Sequence, residues 1–160
     1  MKKYKSLIIV LLIIVLGFTL DIVTKTVANN SLMLLERNPV INNFFYFTLC
    51  YNKGGAWSIF DGQVFFLILT SLFALALIIF MMIKAETKFF LYSSALFVSG
   101  LLGNLYDRLV YGKVIDFLDF IIFGYNFPVF NVADCFICIG IGLICIDLIR
   151  GEIKNGKQDS

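Results

Sequence analysis

Four long runs of the chain are predominantly apolar, at about residues 6–24, 63–83, 89–106 and 131–149. Each is close to the ~20 residues that a helix needs to cross a bilayer core. The pattern predicts four transmembrane helices. Polar and turn-forming residues gather between them, in two long connections at about 25–62 and 107–130 and a short one at about 84–88. The tail from Gly151 to Ser160 is polar and is expected to be disordered. Met1-Lys2-Lys3-Tyr4-Lys5 precedes the first run as in a signal peptide, but no small-x-small cleavage site follows and the run continues into Asp21. It reads as a retained helix.

Basic residues orient these spans. Lys2, Lys3 and Lys5, then Lys84 and Lys88, then Arg150, Lys154 and Lys157 fall on one side of a four-span topology. The positive-inside rule makes that side cytoplasmic, with both termini on it and both long connections facing outward. In the first connection, Asn43 to Tyr51 is aromatic and β-prone, and Asn52-Lys53-Gly54-Gly55 carries turn chemistry. A small hairpin or short sheet on the membrane surface is expected, the plainer alternative being an anchoring loop. Gly112-Lys113, Gly124 and Pro128 should make the second connection turn more than once.

Composition agrees: 60% of residues are hydrophobic and 15% charged, against roughly 45–50% and about 25% in soluble domains. The fold class expected is an all-α integral membrane protein, four transmembrane helices with a small extracytoplasmic β-sheet and surface loop, forming one domain over residues 1–160. Histidine is absent, which excludes Ser-His-Asp and Cys-His nucleophile systems and zinc sites with histidine ligands. A net charge of +2 without a basic stripe argues against nucleic acid. Cys50, Cys135, Cys138 and Cys145 read as ordinary small apolar residues, since the C-x-x-C at 135–138 has no second ligand pair.

The acids are the functional-site candidates. Asp21, Asp107, Asp116, Asp119 and Asp134 lie at the ends of membrane-length runs, where ionisable groups are costly and point to function. Asp116 and Asp119 would share a face if their segment were helical, and repulsion would then give them separate partners. Asp107 and Arg108 could be a local charge pair, and Asp21 and Lys25 form a favourable i,i+4 pair. Asp134, about one turn inside the fourth helix, reads equally as a catalytic acid or an N-terminal cap. Asn52, Asn104 and Asn131 stand at matching depth and suit either carboxylate orientation or turns and caps.

Asp21-x-x-Thr24-Lys25, Tyr51-Asn52-x-Gly54-x-Ala56-Trp57, Gly103-Asn104-x-x-Asp107-Arg108, Val114-x-Asp116-Phe117 and Phe130-Asn131-x-Ala133-Asp134 occur in this order. Together they resemble the lipoprotein signal peptidase (signal peptidase II) family, over the whole span from the first helix to the last. The resemblance implies an intramembrane aspartyl endopeptidase of the bacterial cytoplasmic membrane. Such an enzyme removes the signal peptide from diacylglyceryl-modified prolipoproteins, cutting before the lipidated cysteine at the extracytoplasmic face. It implies that Asp116 and Asp134 are the catalytic pair. Asn52, Gly54, Asn104, Asp107, Arg108, Asn131, Asp21 and Lys25 support the site or substrate, and Asp119 is a further supporting residue. No metal or other cofactor is required, and a monomer working among membrane lipids is expected. Ile22 and Gly55 depart from the family's usual Gln and Ala, away from the pair.

In such a pair one carboxyl stays protonated and donates to the scissile carbonyl while the other acts as base on water. Rival readings are a small ion- or proton-coupled transporter, a membrane scaffold, and a Ser-Lys peptidase using Ser58. The acids cluster at one surface without an internal repeat, against the transporter. A scaffold leaves the Asn and Asp set without purpose, and no lysine is evidently buried with Ser58.

Overall fold

The computed structural model describes residues 2–55 and 59–156; Ala56, Trp57 and Ser58, and tail residues 157–160, lie outside the described residues. Four helices, α1 (Lys2–Ser31), α2 (Val64–Ile83), α3 (Lys88–Tyr111) and α4 (Val132–Gly156), are long and apolar enough to cross a membrane. Between them lie the strands β1 (Arg37–Ile41), β2 (Phe45–Asn52), β3 (Val114–Ile122) and β4 (Tyr125–Asn126). They form one antiparallel sheet in the order β1-β2-β3-β4.

Three helices run further than their apolar stretches. α1 continues through Lys25 to Ser31 because that lysine is buried and paired. α3 continues to Tyr111, and Gly112 ends it in the left-handed region (φ 64°), its N–H bonded to the Arg108 carbonyl at 3.1 Å. α4 remains helical to Gly156, which corrects the expectation of a disordered tail from Gly151. Falling hydropathy marks where a span leaves apolar surroundings, whereas the backbone ladder persists until something caps it.

α3 is the central helix. Its buried face is built from small residues, including Ser94, Ala95, Ser99, Gly100 and Gly103, and ends in Asn104 and Asp107. A Cβ at Gly100 would strike the Ala133 carbonyl of α4, and one at Gly103 the Asp21 carboxylate of α1. Small residues let helix backbones approach closely in a bilayer, where apolar burial alone does not hold helices together. This approach brings Asp21 and the start of α4 against α3 beside Asn104. α2 is peripheral, with Ile78 its buried residue, packed with Phe90, Val98 and Ile144.

The sheet corrects two sequence readings. β2 occupies most of the expected hairpin segment, but its turn partner is β1, through residues 42–44, and its other neighbour is β3. The expected turns at Gly112 and Gly124 are present, and between them lies the nine-residue strand β3, so Asp116 and Asp119 are not on a helix. An odd separation on a strand puts side chains on opposite faces. The β2–β3 register passes from Phe47↔Leu118 to Cys50↔Asp116, so Thr48 and Leu49 of β2 stand against Phe117 alone. This is a β-bulge, which re-aims side chains at the end of a sheet.

Candidate active site

The far edge of β3 positions the start of α4. Leu118 and Phe130 exchange backbone hydrogen bonds at 2.8 and 3.0 Å, and the Phe130 ring stacks on Phe120. Asn131 therefore emerges beside Asp116. Its side-chain oxygen accepts from the Asp134 N–H at 2.9 Å, while Asp134 Oδ2 accepts from the Asn131 N–H at 3.1 Å. This reciprocal pair has the geometry of a capping box, with Asn and Asp in place of Ser/Thr and Glu/Gln. The cap reading of Asp134 thus holds, and it does not exclude the catalytic one, because the other oxygen faces inward.

That oxygen, Asp134 Oδ1, accepts from Asn104 Nδ2 at 2.7 Å. Asp116 Oδ1 accepts from Asn131 Nδ2 at 2.6 Å and Oδ2 from Asn52 Nδ2 at 3.1 Å. Asn131 also donates to Asn104 Oδ1 at 3.1 Å. The three asparagines singled out in the sequence thus join the two aspartates in one network. Every amide orientation in it is determined by a partner on the other side.

Asp116 is 2% exposed and, among the described residues, has no cation as a hydrogen-bond partner. Burial, followed by the negative charge of Asp134, pushes its carboxyl up to about 7, although the two amide hydrogen bonds and Lys25 pull the other way. Burial and the neighbouring Asp116 likewise raise the thiol of Cys50, its partner across the sheet.

Asp107 and Arg108 do not form a local pair. Asp107 turns to Lys25 at 3.0 Å, and Arg108 donates to the carbonyls of Gly54 at 3.0 Å and Asn104 at 3.3 Å. Arg108 thereby ties the segment after β2 to α3. Gly54, in turn, donates its N–H to Asn52 Oδ1 at 2.8 Å and so fixes the amide that faces Asp116. Asp21 and Lys25 do pair, at 2.7 Å, deep in the bundle. Asp119 lies on the other face of β3 and takes no part in this network; it binds Arg37 and Thr48.

The two aspartates open onto a cleft of about 800 Å³ whose polar end also holds Asn52, Asn104 and Arg108. Its apolar wall includes Pro128, Val129, Ile137 and Cys138. Sequence reasoning missed this wall. The signal available was helical spacing, because Ile137 and Cys138 follow Asp134 by three and four residues and share its face. A cleft lined by apolar side chains together with a few convergent polar groups suits a partly apolar chain with a reactive centre.

The family model of signal peptidase (SPase) II matches residues 13–150. A lipoprotein signal peptidase of Halalkalibacterium halodurans is 38% identical over 152 residues, covering 94% of this chain and 96% of the relative. One of Staphylococcus carnosus is 39% identical over 157 residues, covering 97% and 99%. A bacterial membrane enzyme structure obtained by the in meso method at 2.3 Å superposes with a TM-score of 0.82 at 35% identity, covering 88% of this chain and 87% of that one. A second such structure, at 1.9 Å, gives 0.79 at 35% identity, covering 87% and 91%. With four spans, a small sheet and the polar cleft in place, the chain belongs to the signal peptidase II family.

Proposed function

We propose that this chain is an aspartyl endopeptidase that removes the signal peptide from diacylglyceryl-modified prolipoproteins, cutting before the lipidated cysteine. Asp116 and Asp134 are its catalytic pair. The observation that carries this reading is that both carboxylates open on one cleft and are joined through asparagine amides, with no cation bonded to either among the described residues. The transporter alternative finds no support: the chain's relatives are peptidases, and the pair sits at one end of the spans.

The pair holds one proton between them, because two close carboxylates do not both ionise cheaply. Asp116, whose carboxyl is raised toward neutrality, keeps that proton. Water between the carboxyls gives a proton to Asp134 and its oxygen attacks the scissile carbonyl carbon, while Asp116 protonates the carbonyl oxygen. The resulting gem-diol collapses: one hydroxyl proton returns to Asp116, and Asp134 delivers its proton to the departing amine, the amino group of the lipid-modified cysteine. Asn52 and Asn131 hold Asp116 in place, and Asn104 holds Asp134. The apolar wall takes the apolar part of the substrate.

Both termini lie on the cytoplasmic side and the cleft at the outer leaflet. Lys84, Lys88 and Arg150 support this, since they stand at the end of the bundle away from Asp116 and Asp134. The chain works as a monomer among membrane lipids. The test is cleavage of diacylglyceryl-modified and unmodified forms of one prolipoprotein by the purified protein, with product masses read by mass spectrometry. A cut immediately before the cysteine, in the modified form alone, is expected. Equal cleavage of both forms, or none of the modified one, would sink the reading.

A further inference from the structure

Asp116 and Asp134 ride on different elements, β3 and α4, and the backbone just before each is held by a buried carboxylate from elsewhere. Asp107 Oδ2 of α3 accepts from the Ile115 N–H at 3.1 Å, and Asp21 Oδ1 of α1 accepts from the Ala133 N–H at 2.8 Å. Both carboxylates close on one ammonium: Lys25 Nζ lies 2.7 Å from Asp21 Oδ2 and 3.0 Å from Asp107 Oδ2. The same ammonium donates to Asn104 Oδ1 at 3.0 Å. With its oxygen claimed, the Asn104 amide must present its NH₂ group to Asp134 Oδ1. Lys25 thus meets two carboxylates and one amide oxygen. Lys25, Asp21 and Asp107 are each at most 1% exposed.

We propose that Lys25 is a positioning residue for the catalytic pair. One ammonium clamps the two carboxylates that hold the backbone before Asp116 and before Asp134, and so sets how the two acids face each other. The inference rests on the assignment of Asp116 and Asp134 made above. A pair needed only to neutralise a buried lysine would use one acid. Two acids on one lysine leave a net negative charge in a site where charge is costly. What the second acid adds is a hold on a second element. The two holds land at equivalent positions, one residue before each catalytic aspartate. Lys25 also places positive charge near Asp116 and opposes its protonation. The groups facing Asp116 are Asp134 from α4, Lys25 from α1, Arg108 from α3 and Cys50 across β2.

The experiment compares wild type, Lys25→Met, Asp107→Asn and Asp134→Asn on a diacylglyceryl-modified prolipoprotein. It measures kcat, KM and the pH profile, with thermal unfolding recorded alongside. Misplacing a reacting group by about 1 Å costs about 10²-fold, so Lys25→Met should lower kcat by about that factor with KM little changed. The alkaline limb of its profile should also move to higher pH, because the cation facing Asp116 is gone. Asp107→Asn keeps an oxygen for the Ile115 N–H and loosens only the ammonium's grip. It is expected to fold and to lose about tenfold in kcat, a share of the full misplacement. If Lys25→Met does not fold, Asp107→Asn decides the matter. Effects confined to melting temperature or KM, with wild-type kcat and pH profile, would overturn the clamp. Retained cleavage by Asp134→Asn would instead overturn the catalytic pair itself.

Discussion

Asp116 and Asp119 stand three residues apart on one strand and are almost equally buried, 2% and 1% exposed. On its face of β3, Asp119 meets a guanidinium and a hydroxyl: Arg37 Nε at 2.8 Å, Arg37 Nη2 at 3.3 Å and Thr48 Oγ1 at 2.7 Å. Arg37 also reaches Asn126 at 3.0 Å, so this cluster ties β1, β2, β3 and β4 together. On the other face Asp116 meets two amides, and the charge that acts on it most strongly is another carboxylate. Burial is common to both, and what separates the two acids is the counter-charge. A bound cation fixes the ionised form, whereas amides beside a second acid leave the proton in play.

The largest break in that comparison comes from the proposed catalytic pair itself. Asp116→Asn or Asp134→Asn should each lower kcat by about 10³-fold, within the range for loss of a general acid or base. The same change at Asp119 should leave kcat/KM within a few-fold, as steady-state cleavage by the purified variants would show. Next comes Asn131→Ala, which removes the 2.6 Å bond to Asp116 and the cap of α4 together. It should cost about 10²-fold in kcat through the misplaced acid, and about 1 kcal/mol of stability through the lost cap, readable by denaturant titration.

Asp119→Ala tests the other face. It should lower stability by about 1–3 kcal/mol, the cost of stripping a buried group of its partner. Arg37 is partly exposed and can rehydrate, which keeps the loss at the low end. By contrast, Asp116→Asn should be no less stable than wild type at neutral pH and more stable above it, since it replaces a carboxyl that resists ionisation.

The smallest effect is the pH response of the intact protein. The folded carboxyl of Asp116 binds its proton more tightly than its ordinary value of 3.8 allows, with a midpoint of about 7. Its contribution to stability is therefore fully present below about 3.8 and is lost as pH rises through about 7. Activity that needs this proton should fall along the same limb, roughly twofold at the midpoint. Asp119→Asn should leave the limb in place.

Much of this was legible in the sequence. The four apolar runs matched the number of spans, and the Asp and Asn positions at their ends marked the residues of the proposed site. What the runs could not show was where the helices stop. Lys25 reads as the polar end of a span because its second partner, Asp107, reaches it only after α1 and α3 pack. β3 was missed for a local reason. In Val114-Ile115-Asp116-Phe117-Leu118-Asp119 the acids recur every third residue, which hides the period of two that marks a strand. Both faces of β3 are buried, so each acid points into its own polar pocket. The cation that makes Asp119 structural comes from Arg37, 82 residues earlier, and nothing local announces it.

The most direct measurement is an infrared titration of the purified protein in lipid, following the carbonyl stretch of protonated carboxyl groups. A carboxylic acid band that disappears with a midpoint near 7 is expected, absent in Asp116→Asn and retained in Asp119→Asn. No carboxyl titrating near neutrality, or a band lost with Asp119 in place of Asp116, would contradict the claim that the proton of the pair resides on Asp116.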